Sequence, residues 1–417
     1  MKKLRMQQEM TDRGQLEIRV NARVQARPVK GARVTVSYTG DPKHVIEELV
    51  TDGDGRTEQL ELAAPPLEYS LEPNVNQPYS EYTIKVEAKG YETVEVTGSE
   101  LFSGEQSIQQ VELEMAEDAT FADVTIPAHT LFGNYPAKIP ESEMKPMAES
   151  GEIVLSRVVI PEYVVVHDGA PTDTTARDYY VRYRDYIKNV ACSEIYATWP
   201  DAAIRANILA IMSFTLNRVY TEWYRNKGYD FTITSSTAYD HKWIYGRNLF
   251  DSISLVVDEI FADYLSRPNV KQPILTQYCD GNRVSCPNWM SQWGSKNLAD
   301  RGYSTIQILR NYYGENMYIN TAEEISGIPS SWPGYDLTIG SSGNKVLQMQ
   351  EQLNVIAEVY SSIPTVYENG YFDEKTQEAV EAFQRLFGLP VSGIVDYPTW
   401  YKIQSIYVAV TRIAELQ

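Results

Sequence analysis

Glu194 is the residue whose neighbours best suit it to acid–base chemistry. It sits among Cys192, Ile195, Tyr196 and Trp199. An apolar surrounding penalises the ionised carboxylate, so such a group stays neutral close to neutral pH. It then has a proton to give and, once ionised, takes one back. A hydrolysis using two carboxylates would recruit Asp201 or Asp240 as the second. The competing role for Glu194 is structural, capping the helix that follows it or pairing with Arg205. Both roles stay open on sequence grounds.

Other chemistry is thinly represented. Cys279 and Cys286 flank Asp280-Gly281-Asn282 and are close enough in sequence to bridge across a turn, while Cys192 reads as a buried thiol. The three cysteines have no zinc-site spacing. His241 beside Asp240 is a lone histidine better suited to hydrogen bonding than to ligation, and His167 after a strand reads as structural. No Ser-His-Asp order, phosphate loop or HExxH pattern occurs. No metal and no cofactor are expected.

The elements that must position these groups fall into three blocks. Leu16–Val20, Ala32–Val36, Tyr82–Val86 and Thr93–Val96 alternate with period two, and Asp52-Gly53-Asp54-Gly55 marks a turn. Short strands punctuated by Gly and Pro predict a β-sandwich. An EF-hand reading of Asp52 and Asp54 fails because the later ligand positions are missing. Residues 117–155 show no period and read as a linker. Beyond them, Ile204, Ile208, Ile211, Thr215, Val219 and Trp223 predict a helix over 202–223, started by Pro200. A second helix is expected over 249–265, and a buried strand over 273–278. Met290-Ser291-Gln292-Trp293-Gly294 reads as a turn leading into a helix near 295–300, followed by another that stops at Gly314. Near the C-terminus, Val346, Met349, Leu353 and Ile356 space one helix, and Ala379, Val380 and Phe383 another.

The fold expected is therefore multidomain: a tail over 1–14, an all-β sandwich over 15–116, the linker over 117–155, an α+β domain over 156–325, and a small all-α domain over 335–417. A chain of 417 residues is long enough for several cores. Its formal charge of −19 disfavours nucleic acid and anionic membrane as partners. No apolar run reaches the ~18 residues of a membrane span. The N-terminal MKKLRMQQEM begins basic but lacks the apolar core of a signal peptide. Nothing in the sequence sets the oligomeric state.

Three segments resemble known families. Residues 335–400, with Gly370, Phe372, Thr376, Ala379, Val380, Phe383 and Gln384 followed by Gly393, Val395, Thr399 and Trp400, resemble the PG-binding-one domain. That resemblance implies binding to peptidoglycan and its stem peptides, with Trp400 among the binding residues. The segments YIKNVACSEIYATWPDAAIRANILAIMSFTL and MSQWGSKNLADRGYSTIQILRNYYG are similar to the SpoIID family of peptidoglycan lytic transglycosylases. The family's first glutamate falls on Glu194, its Lys and Gln on Arg205 and Asn207, and its second glutamate on Ala202 beside Asp201. The similarity implies Glu194 as catalytic acid/base, with Asp240, Tyr245, Gln292, Arg205 and Asn207 binding glycan strands. This chain departs from the family in keeping His241 without the cysteine of the zinc segment, and in having Cys286-Pro287-Asn288-Trp289 before Met290 where a histidine is usual. The N-terminal block resembles the carboxypeptidase-regulatory-like sandwich, which implies adhesion or spacing.

Two functions follow as expectations: a wall-binding enzyme cutting glycan strands without water, or a non-catalytic wall or spore-coat protein. Either places the chain at the cell wall or spore envelope, reached by a non-Sec route or from the mother cell of a sporulating bacterium.

Overall fold

A computed structural model describes residues 12–23, 27–116, 120–139, 155–322, 324–327 and 330–411. Most of the expected N-terminal tail, and 117–119 and 140–154 of the expected linker, lie outside the described residues.

Alternation builds the N-terminal third. Its strands are β1 (Asp12–Ala22), β2 (Arg33–Tyr38), β3 (Asp41–Val50), β4 (Leu60–Ala64), β5 (Ser80–Glu87), β6 (Thr93–Leu101), β7 (Gln106–Leu113) and β8 (Phe121–Thr125). They form a five-stranded sheet, β3-β2-β5-β6-β8, and a second sheet in which β7, β1 and β4 are neighbours. Leu16, Ile18 and Val20 of one sheet and Val34, Val36, Ile84, Val86, Val94 and Val96 of the other share a single apolar core. Period-two sequences place every second side chain on that face. The turn before β4 is fixed by the Asp52 carboxylate, which accepts the Asp54 and Arg56 amides at 2.9 Å each. Gly55 there has a φ of +72°, and a Cβ would meet the Val20 carbonyl at 2.4 Å.

Two expectations change at the next boundary. The segment read as linker contributes β8, which lies parallel to β6 from Thr93↔Phe121 to Thr97↔Thr125. The helix expected over 249–265 is shorter. Leu249 and Phe250 instead extend the second sheet beside β7, and Asp263–Ser266 pairs antiparallel with Tyr318–Thr321. Edge backbone groups supply hydrogen-bond partners that outweigh local helix propensity.

The middle of the chain carries α1 (Tyr183–Glu194), α2 (Asp201–Tyr220), α3 (Asp251–Ile260), α4 (Gln292–Asp300) and α5 (Thr305–Tyr313). Helix α2 is buried on nearly every face, so it is the central element about which the others pack. The sandwich and this region are joined by a buried ion pair: Arg247 binds the Glu100 carboxylate and donates to the Cys192 carbonyl at 2.8 and 3.2 Å. Asn248 accepts the Glu100 amide at 3.0 Å and donates back to its carbonyl at 2.8 Å.

Only Tyr278 and Cys279 of the strand expected over 273–278 and its flank are paired, in parallel with Met290 and Ser291. Between them Cys279 and Cys286 form a disulfide. The Asp280 carboxylate organises the loop by accepting the Asn282, Arg283 and Val284 amides at 3.2, 3.0 and 2.9 Å. With the two cysteines seven positions apart, chain entropy predicts that Cys286→Ser costs about 2 kcal/mol. A urea midpoint unchanged from wild type under oxidising conditions would refute that.

The C-terminal region is α6 (Asn344–Val359), α7 (Glu374–Leu386) and α8 (Tyr397–Thr411). It is built from two similar corners. Gln350 on α6 donates to Thr376 Oγ1 and accepts the Gly370 amide; Gln384 on α7 donates to Thr399 Oγ1 and accepts the Gly393 amide. Both glycines have φ of +68°, which explains glycine at both positions. Helix α8 packs on the middle region, where Asp258 faces Lys188 at 2.6 Å, Arg184 at 3.4 Å and Lys402 at 3.5 Å.

Candidate functional site

Helix α1 ends on Glu194, and its burial draws the final carboxylate into the interior, where no part of it is exposed. Oε1 accepts the Lys242 backbone N–H at 2.7 Å, and Oε2 accepts Gln292 Nε2 at 3.1 Å. The same Gln292 amide also donates to the Glu194 carbonyl at 3.1 Å. Burial raises the Glu194 carboxyl above its usual range, opposed by the charge of Lys138 and by these two hydrogen bonds. Neither alternative structural role is made: Arg205 instead meets Asp201 at 2.7 Å and Glu259 at 2.5 Å, and α2 begins at Pro200 without a side-chain cap.

Four buried polar atoms gather in this neighbourhood without a hydrogen-bond partner among the described residues: Tyr135 Oη, Tyr278 Oη, His241 Nε2 and Gln292 Oε1. Tyr135 and Tyr278 both feel the Glu194 charge, and burial pushes both phenols well up. His241 is fully buried, lies 5.6 Å from the Tyr278 ring, and meets Tyr186 Oη at 3.4 Å. Burial holds its imidazole well below the usual range, so it is neutral. Lys138 donates to the Asp240 carbonyl at 2.6 Å and lies 5.3 Å over the Tyr278 ring. Burial pulls its ammonium down to about 8, against the raising charges of Glu194 and Asp240. Native interiors leave few polar groups unpaired. These four lie near one carboxyl that burial raises, although unpartnered buried atoms occur elsewhere among the described residues too.

The remaining residues named from the sequence are dispersed. Asp240 is wholly enclosed, its carboxylate taken by Arg218 at 3.0 Å, Tyr224 Oη at 2.6 Å and the Thr234 amide at 3.0 Å. It anchors the fold instead of lining a groove. Tyr245 lies apart from Glu194, stacked 5.1 Å from Tyr179 and bonded to Arg23 at 2.9 Å. Asn207 is buried, donating to the Ala203 carbonyl at 2.8 Å and to Ser295 at 2.7 Å. Trp400 is fully buried, with its indole N–H on the Ser330 carbonyl at 3.1 Å. Its ring fills a core, so Trp400→Ala is expected to cost about 3–5 kcal/mol in a thermal melt; a stable variant would return the ring to the surface. Gln292 alone of the proposed partners touches Glu194. Sequence reasoning missed Tyr135 and Lys138 because they fall in the segment read as linker.

Beside the site runs a cleft of about 550 Å³, lined among others by Tyr69, Phe132, Tyr196, Asn282, Arg283 and Trp293. Tyr196 is two residues beyond Glu194 and Trp293 follows Gln292. Tyr196 and Trp293 are themselves nearly buried, at 2% and 5% exposure, so the more exposed rings of the lining are Tyr69 and Phe132. Among the described residues no group of three or more His, Cys, Asp or Glu is placed to hold a metal ion, and no helix is long and apolar enough to cross a membrane.

Comparison with known proteins gives little for the whole chain. No curated protein matches. Among solved structures, the SleB N-terminal domain is 27% identical, covering 18% of this chain and 99% of its own at a TM-score of 0.17. The Bacillus anthracis TIE protein is 18% identical over 25% of this chain and 17% of its own, with a TM-score of 0.18. Klebsiella pneumoniae 5-hydroxyisourate hydrolase is 16% identical over 24% of this chain and 86% of its own, with a TM-score of 0.17. Likenesses this partial carry no argument about function. The informative match is to a family: residues 342–403, which hold α6, α7 and the two glycine corners, match the family described as "Putative peptidoglycan binding domain".

Proposed function

We propose that this chain binds peptidoglycan through its C-terminal helices and cleaves glycan strands at Glu194 by a lytic transglycosylase reaction. Wall binding is supported by the family match over 342–403. The observation that carries the catalytic reading is the enclosed Glu194 carboxyl, raised by burial, ion-paired to no arginine among the described residues, and bonded to Gln292, whose own Oε1 is unpartnered there.

The reaction needs one such group. Protonated Glu194 gives its proton to the glycosidic oxygen, the bond from that oxygen to the sugar C1 breaks, and the leaving sugar departs as an alcohol. The carboxylate then takes the proton of the muramyl 6-hydroxyl as that oxygen closes on C1. A 1,6-anhydro ring forms, the acid is restored, and no water is consumed. Gln292 and the Lys242 amide hold the carboxyl in place through both steps. The aromatic cleft beside Tyr196 and Trp293 receives the strand.

In this reading, residues 156–325 are the SpoIID-like glycan-handling domain, 15–116 a carboxypeptidase-regulatory-like spacer, and 335–417 the wall anchor. The protein works at the cell wall, and in a sporulating bacterium at the spore envelope.

A second reading, a non-catalytic wall or coat protein, is favoured by one observation: Glu194 has no exposed surface. Incubation with purified peptidoglycan separates the two. Release of soluble muropeptides with anhydro ends is expected. Co-sedimentation with the wall and no released product would leave the binding role alone.

A further inference from the structure

Residues 129–139 cross the Glu194 site as a continuous strap. The Thr130 amide donates to the Ser193 carbonyl at 3.3 Å, and the His129 ring meets the Ile195 carbonyl at 3.3 Å, so the strap is tied on both sides of Glu194. Farther along, Tyr135 is buried against the acid, Lys138 holds the Asp240 carbonyl, and the Ile139 amide donates to the Ala238 carbonyl at 2.7 Å. The sandwich holds the start of the strap, where Tyr79 Oη accepts the His129 amide at 2.9 Å.

One side chain fastens the outer face. Arg283, on the loop closed by the disulfide, donates to four successive carbonyls, those of Thr130, Leu131, Phe132 and Gly133. A rigid guanidinium fork with its donors spent on consecutive backbone oxygens is a clasp on that backbone. Leu131, Phe132 and Gly133 also form one wall of the 550 Å³ cleft, so a chain lying in the cleft meets the strap before it meets the acid. Three of the unpartnered atoms, on His241, Tyr278 and Gln292, belong to residues outside the strap and stay behind when it lifts, while the fourth, Tyr135 Oη, leaves with it.

We propose that residues 129–139 form an autoinhibitory strap, clasped by Arg283, which must lift for a glycan strand in the cleft to reach Glu194. The proposal rests on Glu194 being the working acid, but its closure can be tested without turnover. A second copy of this chain is not needed to open it; competition from the strand itself suffices, since a ligand that binds only the open state draws the population toward it.

The test is carboxyl labelling of the full-length protein with a water-soluble carbodiimide and glycine amide, read at Glu194 by peptide mass spectrometry. Wild type is expected to be protected at Glu194 while exposed glutamates react. Arg283→Ala is expected to raise labelling at Glu194 about tenfold, the effect of removing a charge-assisted clasp on a local opening. Unchanged labelling in a folded Arg283→Ala protein overturns the strap. If that variant does not fold, hydrogen exchange of wild type decides. The Thr130, Gly133 and Ile139 amides should exchange well before those of α2, and equal protection overturns the proposal. Labelling that rises in Arg283→Ala while neither protein releases product upholds the strap and removes Glu194 from catalysis.

Discussion

Glu194→Gln is expected to lower release of anhydro-muropeptides by about 10²–10⁴-fold, the contribution of a positioned general acid–base group. The substitution keeps the shape and leaves the pocket packed. The unpaired Gln292 Oε1 is available to accept from the introduced amide when Gln292 turns, so the fold loses little. The effect on stability runs the other way. Burial raises the folded-state pKa of Glu194 above its unfolded value. Its contribution is therefore complete below the unfolded carboxyl range and is lost as pH rises through the folded value. Glutamine carries no such loss. The melting temperature of the variant relative to wild type is thus expected to be higher at pH 7 than at pH 4. A wild type that gains on the variant as pH rises would mean that Glu194 is an ion-paired carboxylate, and the catalytic reading would go with it.

Arg247→Ala should be among the most damaging single changes to the fold. It strands the Glu100 carboxylate, 1% exposed, at the junction of sandwich and middle region and frees the Cys192 carbonyl. Breaking a buried pair from one side costs about 3–5 kcal/mol, a large share of the 5–15 kcal/mol total typical of a domain. Replacing both partners together, as Glu100→Leu with Arg247→Met, should recover much of that, because no charge is then left without a partner. Urea unfolding measures both. A loss under about 1 kcal/mol for Arg247→Ala would show that the junction is solvated and that the sandwich is a loosely tethered module.

Periodicity carried much of the architecture. The four alternating segments fall on β1, β2, β5 and β6, with Ala32 just before β2, and α2 runs over Asp201–Tyr220, ending short of the Trp223 that the apolar stripe included. The glycines of the C-terminal repeat were readable because a positive φ is a local demand, whereas the Gln350–Thr376 and Gln384–Thr399 bonds span 26 and 15 positions. What failed was non-local. Strand β8 has no fully buried residue of its own; its parallel partner β6 and the core against which Ala122 and Val124 pack give it structure. Leu249 and Phe250 look helical until the free edge of β7 is beside them.

The site divides the same way. Glu194 drew notice from its apolar neighbours and Gln292 only from the resemblance of its segment to a known family; the structure joins the two at 3.1 Å. Asp240 carried the same sequence signal as a groove acid, yet Arg218, twenty-two positions earlier, takes its charge. Trp400 was named as a binding residue by resemblance and is a core ring. Tyr135 and Lys138 gave no signal, because a strap has no period and its partners are distant in sequence.

The most direct measurement is digestion of purified peptidoglycan by the full-length protein in heavy-oxygen water, followed by mass spectrometry of the released ends. A single acid that protonates the bond and then deprotonates the muramyl 6-hydroxyl predicts 1,6-anhydro ends, one water lighter than reducing ends and free of the heavy label. Labelled reducing ends would contradict it by revealing a hydrolase, and no released ends at all would reduce the protein to its binding role.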